Sequence, residues 1–223
     1  MLLSLYDVAL QLNPNDAMVW GNKGAALKGQ GKYEEAIKAF DRAIEINPQN
    51  AIDWYNKGTT LGMQGKYEEA IKAFDRAIEI NPQLAQAWGN KGNALKAQGE
   101  YEEAIKAFDR AIEINPRDAM TLYNKGVALF GQGKYDDAIE AFDMALKINP
   151  LDEDAWCNKG FALFSQGNYD EAIKAFDEAI RLNPNLAMAW NNEGLALDAL
   201  GKATEAEAAF AKARELGATG PAS

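Results

Sequence analysis

Apolar and small residues recur along the chain with a period of 34 residues. Within one period Trp20 is followed by Gly24, and then by Tyr33, Ala36 and Phe40, with copies of this pattern in the later periods. A fixed period of this length predicts a stack of copies of one small structural unit. The period is marked most sharply by an Asn-Pro pair, found at Asn13-Pro14, Asn47-Pro48, Asn81-Pro82, Asn115-Pro116, Asn149-Pro150 and Asn183-Pro184.

Each period predicts two helices. The first runs roughly over residues 17–30 and the second over 33–46, with a turn at Gly31-Lys32 between them. Pro48 ends the pair, because proline restricts the residue before it and cannot continue a helix. In the second helix the apolar residues return every three or four positions, as on an amphipathic helix. The pattern therefore predicts an all-α protein built from helix pairs.

The predicted organisation is a half repeat, six full repeats and a tail. The half repeat covers residues 1–16 and the tail covers 218–223, while the full repeats cover 17–50, 51–84, 85–118, 119–152, 153–186 and 187–217.

The half repeat supplies only a second helix, so the apolar face that a first helix covers elsewhere is left open. We predict self-association through its apolar residues, which are Leu2, Leu5, Val8 and Leu12. The alternative is that the chain is a fragment of a longer array or tolerates the exposure.

Nine positions of the period carry a family resemblance. In the first full repeat they are Trp20, Gly24, Leu27, Gly31, Tyr33, Ala36, Phe40, Ala43 and Pro48. This pattern resembles the tetratricopeptide repeat family, which implies a right-handed superhelical solenoid of antiparallel helix pairs that binds other proteins. One departure is Lys23, where the family commonly has leucine. Its stem is expected to cover apolar surface while its charged head reaches water.

The first helices of such a solenoid line its concave groove. With Ala17 as position 1 of its repeat and about 100° of rotation per residue, positions 4, 8 and 11 face the core. Positions 2, 6, 9 and 13 then face the groove. Position 6 is asparagine in every full repeat: Asn22, Asn56, Asn90, Asn124, Asn158 and Asn192.

These six asparagines predict a ladder that binds a peptide backbone, because an amide side chain offers both a donor and an acceptor. The arrangement resembles the asparagine ladder in the tetratricopeptide superhelix of O-linked N-acetylglucosamine transferase, which implies peptide-backbone binding. Two alternatives stay open. The asparagines can bridge neighbouring repeats, or their repetition can be a by-product of repeat duplication or engineering.

Varied apolar residues near the same face are the predicted anchors for side chains of the ligand. They are Tyr55, Tyr123, Val127, Phe130, Phe161 and Phe164. The alternative is that some of these rings pack between adjacent repeats instead.

The amino-acid composition argues against several classes of function. The chain has 33 acidic and 23 basic residues and a net charge of −10, without a basic patch, which argues against a nucleic-acid partner. It has no apolar run long enough to span a membrane and only one cysteine, so we predict a cytoplasmic protein. Because histidine is absent, the usual triads and zinc motifs are excluded. We predict no catalytic residues, no metal site and no cofactor.

The predicted function is therefore a non-enzymatic scaffold that holds an extended, neutral or basic peptide segment in its groove. The alternative is a structural repeat protein, natural or engineered, that self-associates as a homo-oligomer and has no groove ligand.

Overall fold

The structure is a computed structural model that describes residues 2–217, apart from the side chains of Leu2 and Ser4. The predicted tail, residues 218–223, lies outside the described residues. The contacts divide the chain into two compact units, Met1–Pro116 and Arg117–Ser223.

The first unit contains a lone helix followed by three helix pairs. Its helices are α1 (Leu2–Leu12), α2 (Ala17–Gly29), α3 (Tyr33–Ile46), α4 (Ala51–Met63), α5 (Tyr67–Ile80), α6 (Ala85–Ala97) and α7 (Tyr101–Ile114). The second unit contains three more pairs. Its helices are α8 (Ala119–Gly131), α9 (Tyr135–Ile148), α10 (Glu153–Ser165), α11 (Tyr169–Leu182), α12 (Ala187–Ala199) and α13 (Ala203–Glu215).

The prediction of an all-α fold built from helix pairs is confirmed, since the described part of the chain has no strand. The first helices end one residue earlier than predicted, because Gln30 and its equivalents act as C-caps. Gly31, in the turn that follows, has a φ of 74°, a conformation that favours glycine. That residues 17–217 form one solenoid stays a prediction.

The helices of each pair meet where a phenylalanine ring lies on a glycine. Phe40 of α3 is fully buried, and a Cβ atom added to Gly24 of α2 would lie 2.7 Å from its ring. No side chain fits in that space, so only glycine lets the two helices approach this closely. The same pair occurs in the other five repeats, as Gly58/Phe74, Gly92/Phe108, Gly126/Phe142, Gly160/Phe176 and Gly194/Phe210.

The Asn-Pro turn is tied to the helix that follows it. The indole N–H of Trp20 donates a hydrogen bond of 2.9 Å to the carbonyl oxygen of Pro14. The tryptophans of four other repeats make the same bond to the prolines that precede them. This contact explains why tryptophan and proline recur together in the sequence.

Adjacent repeats are joined by a lysine at position 7. The ammonium group of Lys57 lies 2.6 Å from a carboxylate oxygen of Asp41 in the preceding repeat and 5.5 Å from the ring centre of Trp54. Lys23, Lys91 and Lys159 make equivalent ion pairs and ring contacts. The sequence predicted only that the lysine head reaches water, and the structure shows that it also contacts the neighbouring repeat. It links repeats through a charge pair on an aromatic face.

The last repeat replaces this ion pair with two acids. Position 7 is Glu193, and its partner in the preceding repeat is Asp177. Burial raises the pKa of Glu193 to about 7, assisted by the charge on Asp177, by a hydrogen bond between the two carboxyl groups and by Glu205. Burial also raises the pKa of Asp177. The contact between α11 and α12 is therefore most stable when the carboxyl groups of Asp177 and Glu193 share a proton.

Two glycines of α4, one turn apart, test the glycine–phenylalanine contact. We expect Gly58→Ala to lower the free energy of unfolding by about 1–3 kcal/mol, because the new methyl group collides with Phe74. In the matched control, Gly62→Ala, the added Cβ meets nothing within 4 Å. Alanine is the better helix former, so this change should raise the free energy of unfolding by about 0.5–1 kcal/mol. Urea unfolding measures both, and equal effects of the two changes would contradict the contact.

The acid pair predicts a pH dependence. The folded-state pKa of Glu193, about 7, exceeds its ordinary value of 4.5, so the folded chain binds this proton more tightly than the unfolded chain. Stability due to this pair should therefore fall as the pH rises from 5 to 8. Solvent screens part of the repulsion, and we expect a loss of roughly 1–2 kcal/mol.

The variant Glu193→Lys restores the ion pair with Asp177 and should remove most of this dependence. It should also be the more stable protein at pH 8. Thermal unfolding at several pH values provides the measurement. A wild-type melting temperature that stays constant between pH 5 and 8 would show that the two acids do not share a proton.

Candidate functional site

The first helices of neighbouring repeats contact each other within each unit. α4 lies against both α2 and α6, and α10 lies against both α8 and α12. The second helices of neighbouring repeats make no such contact within the described part of either unit. Each unit therefore has an inner face, which we define as the surface formed by its first helices.

Within the described parts of the two units, Asn56, Asn90 and Asn158 are joined to the preceding repeat. The side-chain carbonyl of Asn56 accepts a hydrogen bond of 3.0 Å from Lys28. The amide nitrogens of Asn90 and Asn158 donate to the hydroxyl groups of Tyr55, at 3.3 Å, and Tyr123, at 3.0 Å. These asparagines thus bridge neighbouring repeats, which is the structural alternative raised by the sequence.

The other three asparagines of position 6 are Asn22, Asn124 and Asn192. Asn124 donates to the carbonyl oxygen of Met120 in its own helix, at 3.0 Å. Asn22 is exposed and Asn192 is half-buried. Asn158 donates a second bond of 2.9 Å to the carbonyl oxygen of Asp154, so both of its N–H groups are occupied and its oxygen is left to accept.

The two predicted tyrosines belong partly to the core. The ring centre of Tyr55 lies 6.2 Å from that of Phe74, and the ring centre of Tyr123 lies 5.9 Å from that of Phe142. Burial, with help from nearby Asp154, Asp152 and Cys157, raises the pKa of Tyr123. Both tyrosine hydroxyls therefore position an asparagine of the next repeat rather than projecting freely.

The predicted phenylalanine anchors of the second unit contact other aromatic rings. Phe130 of α8 lies 5.1 Å from Phe161 of α10 and 5.3 Å from Tyr135 of α9, between ring centres. Phe164 lies 5.3 Å from Tyr169 in the same way. Phe161 keeps 37% of its surface exposed, whereas Phe130, Phe164 and Val127 are half-buried. Phe130 therefore packs between repeats, and Phe161 is the ring that remains most available.

Position 2 carries apolar residues that the predicted anchors omit. In four repeats it is apolar and well exposed, with exposed fractions of 74% at Met18, 49% at Ile52, 71% at Met120 and 53% at Met188. Flexible methionines suit a surface that adapts to its ligand. The helical geometry had placed position 2 on this face, so the spacing contained the signal.

The first unit also contains a pocket that the sequence did not reveal. It has a volume of about 330 Å³ and lies between α4 and α6, with Tyr67 and Phe74 of α5 in its lining. Groove positions supply Thr59, Met63, Asn90 and Asn93. We call it the Gly62 pocket after the glycine of α4 that also lines it.

The half repeat presents the apolar face that was predicted. In α1 the exposed fractions are 61% at Leu5, 55% at Val8 and 84% at Leu12, while Leu10 is buried. The side chain of Leu2, predicted to take part as well, lies outside the described residues. Self-association through this face stays a prediction.

The described residues give no support for a reactive cysteine, a metal site or a membrane-spanning helix. Burial, with a contribution from Asp154, raises the pKa of the buried Cys157 thiol to about 11, so it is not poised as a nucleophile. No group of three or more Cys, Asp and Glu side chains in residues 2–217 is placed to hold a metal ion. None of the described helices has the length and apolar character needed to cross a membrane.

Solved structures share this fold. YrrB, a tetratricopeptide repeat protein with an unusual peptide-binding site, is 24% identical and superposes with a TM-score of 0.72 over 82% of this chain and 95% of its own. MamA is 26% identical, with a TM-score of 0.69 over 71% of this chain and 93% of its own. PilF of Pseudomonas aeruginosa is 18% identical, with a TM-score of 0.76 over 90% and 91%.

Three family models, each described as tetratricopeptide repeat, match the sequence. The first matches residues 55–119 and 90–153, the second matches 17–50 and 153–186, and the third matches 187–216. A comparison with curated proteins found no match. Since the matched segments together span almost all of residues 17–216, the chain belongs to the tetratricopeptide repeat family.

Proposed function

We propose that this chain is a non-enzymatic scaffold that binds an extended peptide segment on the inner face of its repeats. The tetratricopeptide fold supports a general role in protein–protein interaction. The observation that carries the finer proposal is the combination of amide groups at position 6 with exposed apolar side chains at position 2 on one face. Amides suit a peptide backbone, and apolar side chains suit alternate residues of the ligand.

The net charge of the chain favours a peptide ligand that is not acidic. The net charge of −10 attracts a basic peptide, tolerates a neutral one and repels an acidic one. A scaffold role also agrees with the absence of histidine from the chain and with the raised pKa of Cys157. YrrB, which shares the fold, has a peptide-binding site, and we extend that property to this chain as part of the proposal.

A peptide display screen tests the inner face. We expect peptides to be selected by the wild-type chain and lost, by tenfold or more in affinity, when Asn56, Asn90, Asn124 and Asn158 are all changed to alanine. The physical reason is the loss of amide groups that hydrogen-bond the peptide backbone. Circular dichroism confirms that the variant remains folded.

The matched control separates recognition from the bridging seen in the structure. Tyr55→Phe with Tyr123→Phe removes the hydroxyl partners of Asn90 and Asn158 but keeps every asparagine. This variant should lose about 1 kcal/mol of stability and keep its peptides. If it loses its peptides as the alanine variant does, the tyrosine hydroxyls are required, either to contact the peptide or to orient the asparagines. If no peptide is selected by the wild-type chain, the inner face is not a peptide site.

Self-association is a second candidate function, favoured by the exposure of Leu5, Val8 and Leu12 on α1. We expect wild type to sediment as a dimer or larger species, and the double variant Leu5→Lys, Val8→Lys to sediment at the monomer mass of 24.4 kDa. Lysine places a charge on the apolar face and prevents its burial.

A control with the same change in charge places lysine at two exposed apolar sites of the second unit, Met144 and Leu151. Its sedimentation should match wild type. A monomer mass for wild type, or equal dissociation by both variants, would rule out association through α1.

A further inference from the structure

The Gly62 pocket exists because one side chain is missing. At position 12 the other full repeats have Lys28, Lys96, Phe130, Phe164 and Asp198, whereas the second repeat has Gly62. A Cβ atom added to Gly62 would meet nothing within 4 Å, so the space in front of it is open. The pocket is therefore a property of this repeat and not of the frame that all repeats share.

The second unit shows what fits in the equivalent place. There Phe130 occupies position 12, and its ring lies 5.3 Å from Tyr135 and 5.1 Å from Phe161. The equivalents of these two neighbours in the first unit are Tyr67 and Asn93, and both line the pocket. The frame thus accepts an aromatic ring in this place when the chain supplies one.

The side chains that line the pocket restrict the kind of ligand that it can bind. Most of the lining is apolar or aromatic, including Met63, Ala94 and Phe74, and no charged side chain is part of it. The side-chain oxygen of Asn93 is buried and has no hydrogen-bond partner within the described residues. A buried acceptor without a partner costs free energy, and a ligand that donates a hydrogen bond recovers it.

We propose that the Gly62 pocket binds a neutral aromatic group that carries a hydrogen-bond donor, such as the indole of a tryptophan side chain. The ring takes the place that Phe130 takes in the second unit, and its N–H donates to Asn93. Indole suits both requirements, since it is a large apolar ring with a donor and no acceptor. The inference rests on the proposed function, in which the pocket anchors one side chain of the bound peptide.

Indole itself is the first probe, compared with 1-methylindole, which has the same ring and no N–H. Methyl NMR of Met63, Ala94 and Ala97 reports occupancy of the pocket directly. We expect saturable shifts with indole and about tenfold weaker binding of 1-methylindole, since one hydrogen bond to a buried acceptor is lost.

Three variants locate the site. Gly62→Phe fills the pocket from within and should weaken indole binding more than tenfold, whereas Gly29→Phe, at an exposed glycine whose Cβ also meets nothing, should not. Asn93→Leu places at position 9 the residue that the last repeat has there, Leu195. It should keep the ring-binding space and abolish the preference for indole over 1-methylindole.

Once indole binding is detected, two results would overturn the proposal. One is indole binding that Gly62→Phe leaves unchanged while circular dichroism shows the variant folded. The other is a preference for indole that persists in Asn93→Leu, since the preference would then come from size and not from the hydrogen bond. Absence of any methyl shift at millimolar indole counts against it as well.

The peptide screen separates this inference from the proposed function. Peptides that are rich in tryptophan and lost on Gly62→Phe support both proposals. If peptides are selected without aromatic residues and bind Gly62→Phe equally well, the inner face is a peptide site and the pocket is not its anchor. If indole binds in the pocket but no peptide is selected, the pocket binds a small aromatic molecule and the peptide proposal fails.

Discussion

The contact between a glycine on one helix and a phenylalanine on the next sets the geometry of every repeat. The rings of Phe40 and Phe142 have no exposed surface, and the backbones of Gly24 and Gly126 lie where any side chain would collide with them. Because close packing leaves no room for adjustment, the two helices of each pair take the same separation each time. The tryptophan, the Asn-Pro turn and the lysine at position 7 then recur in fixed places around that contact.

Because the residues that pack each repeat are constant, the repeats differ mainly at the few positions that this packing does not use. Position 12 shows the range of outcomes within one chain. Lys28 donates a hydrogen bond to Asn56, Phe130 packs against Phe161, and Gly62 leaves a pocket. The backbone is helical each time, so the chemistry of the inner face in each repeat depends on side chains that do not take part in packing the helix pair. A repeat protein can therefore change what it binds without changing how it folds.

The sequence predicted what depends on spacing within one repeat. The 34-residue period placed both helices of each pair within one residue of their observed bounds, and helical geometry predicted which positions of the first helix face inward. Contacts that cross from one repeat to the next were raised only as alternatives, and the sequence did not identify their partners. The bond from Asn90 to Tyr55 joins residues 35 apart, and the Gly62 pocket depends on Asn93, on another helix. Such contacts follow from the distance between repeats, which the period alone does not contain.

The asparagine of position 6 shows how identical residues acquire different chemistry. Asn56 accepts from Lys28 through its oxygen, which leaves its N–H groups to act as donors. Asn158 uses both N–H groups, on Tyr123 and Asp154, which leaves its oxygen to accept. A peptide backbone offers both kinds of partner, so either asparagine suits it. Each one, however, suits a different atom of the peptide unit, and the preceding repeat decides which. Repetition in the sequence therefore does not imply a uniform ladder.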